Sequence, residues 1–247
     1  MRIARNALPL IVGTLLTGAG AGAQTSAPDL SARAFLEQVR RPFSQDAWGR
    51  FSGKAVTSGP KGSRRAPLEV ALVFTPDRMH GCLVLDERTV YTIEQVHSDT
   101  APNRISVQRP QVPAELELAD FGVTMEDITF AFLYWDFLRE LPAEEVSGQP
   151  CRVMELVHPD PARGKVRVWF STEYLFPLQA HWFEPGAEST SRRLTLKGMK
   201  KHDDEFWFVK TIQLRGDDWK TKLTFDHAEF HDATAVPVPP GFLAAGR

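Results

Sequence analysis

Residues 150–184 read PCRVMELVHPDPARGKVRVWFSTEYLFPLQAHWFE. Three short runs stand out: Pro150 to Val157, Lys165 to Ser171 and Phe176 to Glu184. Each is rich in valine, leucine and aromatic residues, and Pro159-Asp160-Pro161 with Gly164 breaks the first from the second. Runs of this length between turn residues read as strands. Moving outward, Arg192 to Lys197, Phe206 to Arg215 and Lys220 to Phe230 repeat the pattern. Glu184-Pro185-Gly186, Lys201 to Asp204 and Gly216-Asp217-Asp218 supply the turns. Strands joined by such short turns must run antiparallel, so this half of the chain is a meander. No strand–helix–strand alternation occurs, which argues against a parallel sheet.

The first half continues the theme. Asp29 can cap a helix whose apolar residues Ala32, Phe35, Leu36 and Val39 follow helical spacing, and Pro42 ends it. From Trp48 to Gln108 the chain reads as strands, among them Leu68 to Phe74, Gly81 to Leu85 and Thr89 to Ile93. Asp86-Glu87-Arg88 is a turn, and Ser58 to Ser63 is a loop by composition. Ser98 to Leu116, full of prolines and polar residues, predicts an irregular or edge region. The charged run Lys197 to Glu205 reads as a solvated hairpin tip.

Residues 1–23 have the form of an address. Arg2 and Arg5 precede a short apolar core from Ala7 to about Thr17, and Ala21-Gly22-Ala23 suits signal peptidase. The core is shorter than the roughly 20 residues that span a bilayer. Export with cleavage after Ala23 is therefore expected, with the product soluble in an oxidising compartment. Loss of the two arginines leaves 27 basic against 31 acidic residues, a net of −4. Such a balance supplies no bulk field for nucleic acid, and membrane contact is peripheral or absent. In an oxidising compartment Cys82 and Cys151 either pair or are two small buried hydrophobes. The organisation read from these signals is a leader over 1–23, a helical segment over 24–44 and one β domain over 45–247.

The aromatic residues number 16 Phe and 6 Trp against 3 Tyr, and they concentrate between Phe121 and Phe208. Thr124 to Leu138 is apolar nearly all round after a capping-box start at Thr124 and Asp127. It predicts one internal helix over about 124–138, buried on two sides. Ile128, Ala131, Phe132, Trp135 and Leu138 form one face; Phe130, Leu133, Tyr134 and Phe137 form the other. Either the helix plugs a core, or its second face lines a greasy cavity over a sheet. In the cavity reading Phe130, Leu133, Tyr134 and Phe137 meet Phe170, Trp182 and Phe208, which alternate along their strands, to bind a hydrophobic ligand.

Chemistry-bearing motifs are scarce. The sequence holds no nucleophile elbow, phosphate loop, Cys-x-x-Cys or His-Glu-x-x-His, and no carboxylate pair argues for acid–base work. His227, Glu229 and His231 share one strand face and could ligate zinc only with a bulge or bend, since the outer two lie about 13 Å apart on a flat strand. The reading is a solvated strand face, with no catalytic residue, metal or cofactor expected.

Phe121-Gly122-Val123-Thr124-Met125-Glu126-Asp127-Ile128 resembles the segment with which LolA-like lipoprotein-sorting proteins enter a helix after a phenylalanine and an acidic pair. Glu144 to Cys151 leading into Val153 to Leu156, then Lys165 to Phe170 and Phe176 to Ala180, are similar to the paired strands that follow in that family. The resemblance spans residues 45 to 243 and is best from 120 to 230. It implies an α+β fold: an antiparallel meander forming a half-open barrel, with helices across the concave face as a lid. The same resemblance implies a cavity for acyl chains of a lipid or lipidated protein cargo, an envelope protein receptor as a further partner, and no catalytic residue. It also places Cys82 and Cys151 on strands too far apart to bridge. The leading expectation is a non-enzymatic carrier, with an envelope sensor or scaffold as its rival and a His227–Glu229–His231 hydrolase third.

Overall fold

In the computed structural model the described residues are 30–41, 45–60, 62–97, 105–108, 116–202 and 206–244. The expected leader, its expected cleavage site and Asp29 lie outside them. Helix α1 (Ala32–Arg40) is capped by Ser31, whose side chain accepts from the Ala34 amide at 3.3 Å. Phe35, Leu36 and Val39 form its buried face, as their spacing requires. Five strands follow: β1 (Ala47–Gly59), β2 (Gly62–Phe74), β3 (Arg78–Leu85), β4 (Thr89–Val96) and β5 (Ile105–Gln108). After a short helix α2 (Met125–Thr129) come β6 (Asp136–Val146), β7 (Gln149–Val157), β8 (Lys165–Ser171) and β9 (Phe176–Phe183). The last three are β10 (Arg192–His202), β11 (Phe206–Arg215) and β12 (Lys220–Asp232).

The strands form one 12-stranded sheet in the order β5-β4-β3-β2-β1-β12-β11-β10-β9-β8-β7-β6. Every neighbouring pair is antiparallel, so two meanders meet where the first strand pairs the last. Edges remain at β5 and β6, and the sheet is a half-open barrel rather than a closed one. At the central junction β12 carries one extra residue, between the pairs Ser52–His227 and Gly53–Phe225. A Cβ on Gly53 would stand 1.9 Å from the Thr224 carbonyl oxygen, so the close approach there requires glycine.

The main apolar cluster fills the concave side, between the sheet, α1 and the segment 116–135. Two small clusters sit outside it: Trp169 with Cys151, Val153 and Leu178, and Trp48 with Ala71 and Phe242. Seven strands separate β3, which carries Cys82, from β7, which carries Cys151; both side chains are buried and no disulfide joins them.

Four expectations need correction. The segment 124–138 is not one helix. Helix α2 stops after five residues, Phe130 takes a left-handed conformation (φ 51°, ψ 34°), and a 3-10 turn covers Ala131–Tyr134. Trp135 is extended, and Asp136 already belongs to β6. An all-round apolar surface carries no period, so it signals burial without specifying a helix. Thr129 contributes to the stop, because its hydroxyl donates to the Met125 carbonyl at 3.1 Å. Second, Ser58 to Ser63 is mostly ladder, with Ser58 paired to Ser63 and Gly59 to Gly62. Third, Lys197 to His202 continues β10, and the rest of the expected tip, residues 203–205, lies outside the described residues. Last, Ser31 takes the capping role expected of Asp29.

Candidate functional site

The inner surface is built from strand residues that alternate inward and from the strap formed by residues 116–135. Phe130, Leu133, Phe170, Trp182 and Phe208 are all buried in the main cluster, and Tyr134 and Phe137 pack against it partly exposed. All seven residues read as a ligand-binding set thus belong to this one large apolar cluster or pack against it. Their immediate partners differ from the helical reading. Phe132, assigned by period to the opposite face, makes an edge contact with Trp182 at 5.3 Å. Phe130 meets Phe132 at 6.1 Å and Phe176 at 5.8 Å, both nearly perpendicular. Phe176 was missed; its place at the first position of β9 was the available signal.

These rings are packed. Four cavities of 350 to 730 Å3 lie elsewhere on the molecule, lined by other residues than the seven.

Polar anchors fasten that strap to the sheet along its length. The Leu118 amide donates to the Tyr91 hydroxyl at 3.1 Å, and Thr221 donates to the Phe121 carbonyl. Arg64 pairs with Asp120, and Arg163 with Glu126 at 2.7 Å. From α1, Arg40 donates to the Leu133 carbonyl at 2.7 Å and the Trp135 carbonyl at 3.0 Å. Asp127 is fully buried, accepts from the Thr124 amide at 2.7 Å and its hydroxyl at 3.0 Å, and pairs with Arg192 of β10. Burial pushes the Asp127 carboxyl up, and the Arg192 charge opposes that. Arg192 also lies over the Trp182 ring at 4.5 Å, joining the ion pair to the aromatic cluster.

The candidate zinc residues do not converge. Among the described residues no group of three or more metal-ligating side chains is placed to hold an ion. The His231 ring lies 4.4 Å from Trp48 with Nε2 3.1 Å from Glu229, while His227 faces outward.

Comparison with solved structures agrees on this architecture. A domain from Vibrio parahaemolyticus assigned to outer membrane lipoprotein sorting matches 86% of this chain and 97% of its own, with a TM-score of 0.60 and 14% identity. A DUF1329 family protein from Desulfovibrio piger gives a TM-score of 0.64 at 14% identity, over 84% of this chain and 92% of its own. A LolA superfamily protein from Nitrosomonas europaea gives 0.54 at 11% identity, over 87% and 97%. No family model and no curated protein matches the sequence. The chain therefore has the LolA-like fold, on the evidence of shape.

Proposed function

We propose that the protein is a periplasmic binding protein whose concave face takes a hydrophobic ligand, a lipid or the acyl chains of a lipidated protein, when the strap lifts. The supporting observation is the strap itself. Phe130, Phe132 and Leu133 are laid on a concave sheet by short, broken elements, not by a continuous helix. Segments of this kind open at lower cost than regular elements. A ligand must replace the contacts that the strap gives up. At about 0.8 kcal/mol per buried methylene, a chain of roughly sixteen carries about 13 kcal/mol before the costs of ordering it. Such burial is non-directional, so the reading needs neither catalytic residues nor a cofactor. The fold shared with a lipoprotein-sorting domain and a LolA superfamily protein supports the same reading.

The test is organic extraction of purified protein followed by mass spectrometry, joined to titration with a dansylated fatty acid. Co-purifying lipid, or saturable uptake that extracted lipid displaces, is expected. Lipid-free protein that takes up no probe would sink the proposal. The packed interior favours a second reading, an envelope scaffold or sensor that keeps these rings as core and binds a protein partner. A stoichiometric envelope protein captured by lipid-free material, with no probe uptake, is its signature.

A further inference from the structure

The outer face of the sheet carries a feature that the concave side does not explain. Arg167 of β8 pairs in register with His181 of β9, His181 with Arg193 of β10, Arg193 with Arg215 of β11, and Arg215 with Lys220 of β12. Residues directly opposite across antiparallel pairs project from the same face, so these five form one row across the sheet, about 19 Å long at the usual strand spacing. Like charges facing each other this way destabilise a sheet. The row is nonetheless uncompensated at its centre. Arg167 is neutralised by Glu155, at 2.8 Å, but among the described residues Arg193 bonds only the Thr190 hydroxyl, at 3.2 Å, and Arg215 and Lys220 have no ion-pair partner.

The centre of the row is also concave. Arg167, His181, Arg193 and Arg215 line a groove of about 730 Å3, walled by the β9–β10 connection with the hydroxyl residues Ser189, Thr190 and Ser191. A neighbouring hollow of about 350 Å3 continues it past Arg215 to Lys220. The aromatic floor is fixed: the Trp169 ring lies 4.5 Å from His181, and its indole N–H donates to Glu144 at 2.8 Å. Carboxylates Glu144, Glu188 and Asp217 rim the groove. They oppose a broad anionic surface such as nucleic acid and favour a compact anion set among the guanidinium groups.

The geometry points to a binding site on the outer face, centred on Arg193 and Arg215, for the phosphate group of a small phosphorylated molecule or a phospholipid headgroup. Paired guanidinium forks with adjacent hydroxyl donors match the oxygens of a phosphate better than a point charge does. The site is independent of the strap, so it stands or falls separately from the concave-face reading. His181 reports on it. Burial, with Arg193 and Arg167 adding to it and Glu144 opposing, holds its imidazole at about 4, and an anion bound beside it raises that value.

The full chain is titrated calorimetrically with inorganic phosphate and, separately, with monomeric dihexanoyl phosphatidic acid. The His181 ring proton is followed by NMR across pH with and without each. One saturable site is expected, together with an upward shift of the His181 titration. Arg193→Gln with Arg215→Gln should weaken binding by about tenfold or more and abolish the ligand-induced shift. Relief of the facing charges leaves the thermal midpoint of the unliganded double variant unchanged or raised. Lys222→Gln, exposed on the same face but outside the row, should bind as the parent does. Tighter binding of the short-chain lipid than of inorganic phosphate assigns the site to headgroups; the reverse assigns it to soluble phosphates. No saturable binding of either, or equal weakening by Lys222→Gln, overturns the proposal.

Discussion

The Glu155 carboxylate lies out of reach of solvent among three cations: Arg139 at 2.8 Å, Lys165 at 3.1 Å and Arg167 at 2.8 Å. Burial alone would push its carboxyl up. The bonds from Arg167, Arg139 and Lys165 outweigh that and hold it at about 2. Glu155→Gln removes the charge but keeps the volume, leaving three cations facing one another. The expected loss is about 2 kcal/mol, below the 3–5 of a wholly enclosed pair because the cations reach water. Urea melts of the variant and parent measure it. Gly53 makes a different demand, since the added methyl of Gly53→Ala would meet backbone, which cannot swing aside. A loss of about 2 kcal/mol or more is expected in the same melts, and a neutral result would show that the β1–β12 junction relaxes.

Among the elements, the strap depends on its buried ion pair. Arg192→Met leaves Asp127 charged and enclosed, at a cost of about 3 kcal/mol. Asp127→Asn added to it should recover most of that, because an asparagine oxygen can still accept from Thr124. Hydrogen exchange at residues 118–134 should quicken in the single variant and slow again in the double one, with β8 and β11 amides unaffected. If β8 and β11 speed up equally, the strap is not a separate unit. The strap is also where sequence was least informative. Strands β8 and β11 were legible to the residue, because each is a run of apolar and aromatic residues bounded by turn residues. The burial of Phe130, Leu133, Phe170, Trp182 and Phe208 was legible too, since large apolar side chains in a mostly apolar stretch have to leave water. The path through 124–138 was hidden because a run apolar on every side fits any buried conformation. Packing against the sheet, not local preference, decided for a broken turn at Phe130. Strand β6 was hidden for the opposite reason. As an edge strand with Pro142, Glu144 and Glu145 it is largely exposed, and its register shifts twice, so it shows no apolar alternation.

Across the whole molecule, protonation couples these parts. His97 is held at about 4, mainly by burial with Asp77 opposing, and its ring stacks on Tyr134 of the strap at 4.5 Å. His181 is held at about 4 on the outer face, and burial also depresses His158, beside Trp135. For a histidine whose folded value lies below the unfolded 6.5, the folded state binds fewer protons than the unfolded chain. That contribution to stability is complete above 6.5 and is lost as pH falls toward 4. Glu155, lowered from 4.5 to about 2, loses its contribution in a second window between those values. Asp127, raised by burial, acts in the opposite sense: its contribution grows as pH falls toward the ordinary 3.8 and so opposes the decline above that value. The thermal midpoint should therefore be level above about 6.5 and fall in two stages below it. His97→Gln removes one of the groups responsible for the first stage and should flatten that stage alone, leaving the second. A midpoint independent of pH between neutrality and 4, measured by circular dichroism, would mean that these imidazoles reach water in the folded protein and that the strap does not seal the end of the sheet where His97 meets Tyr134.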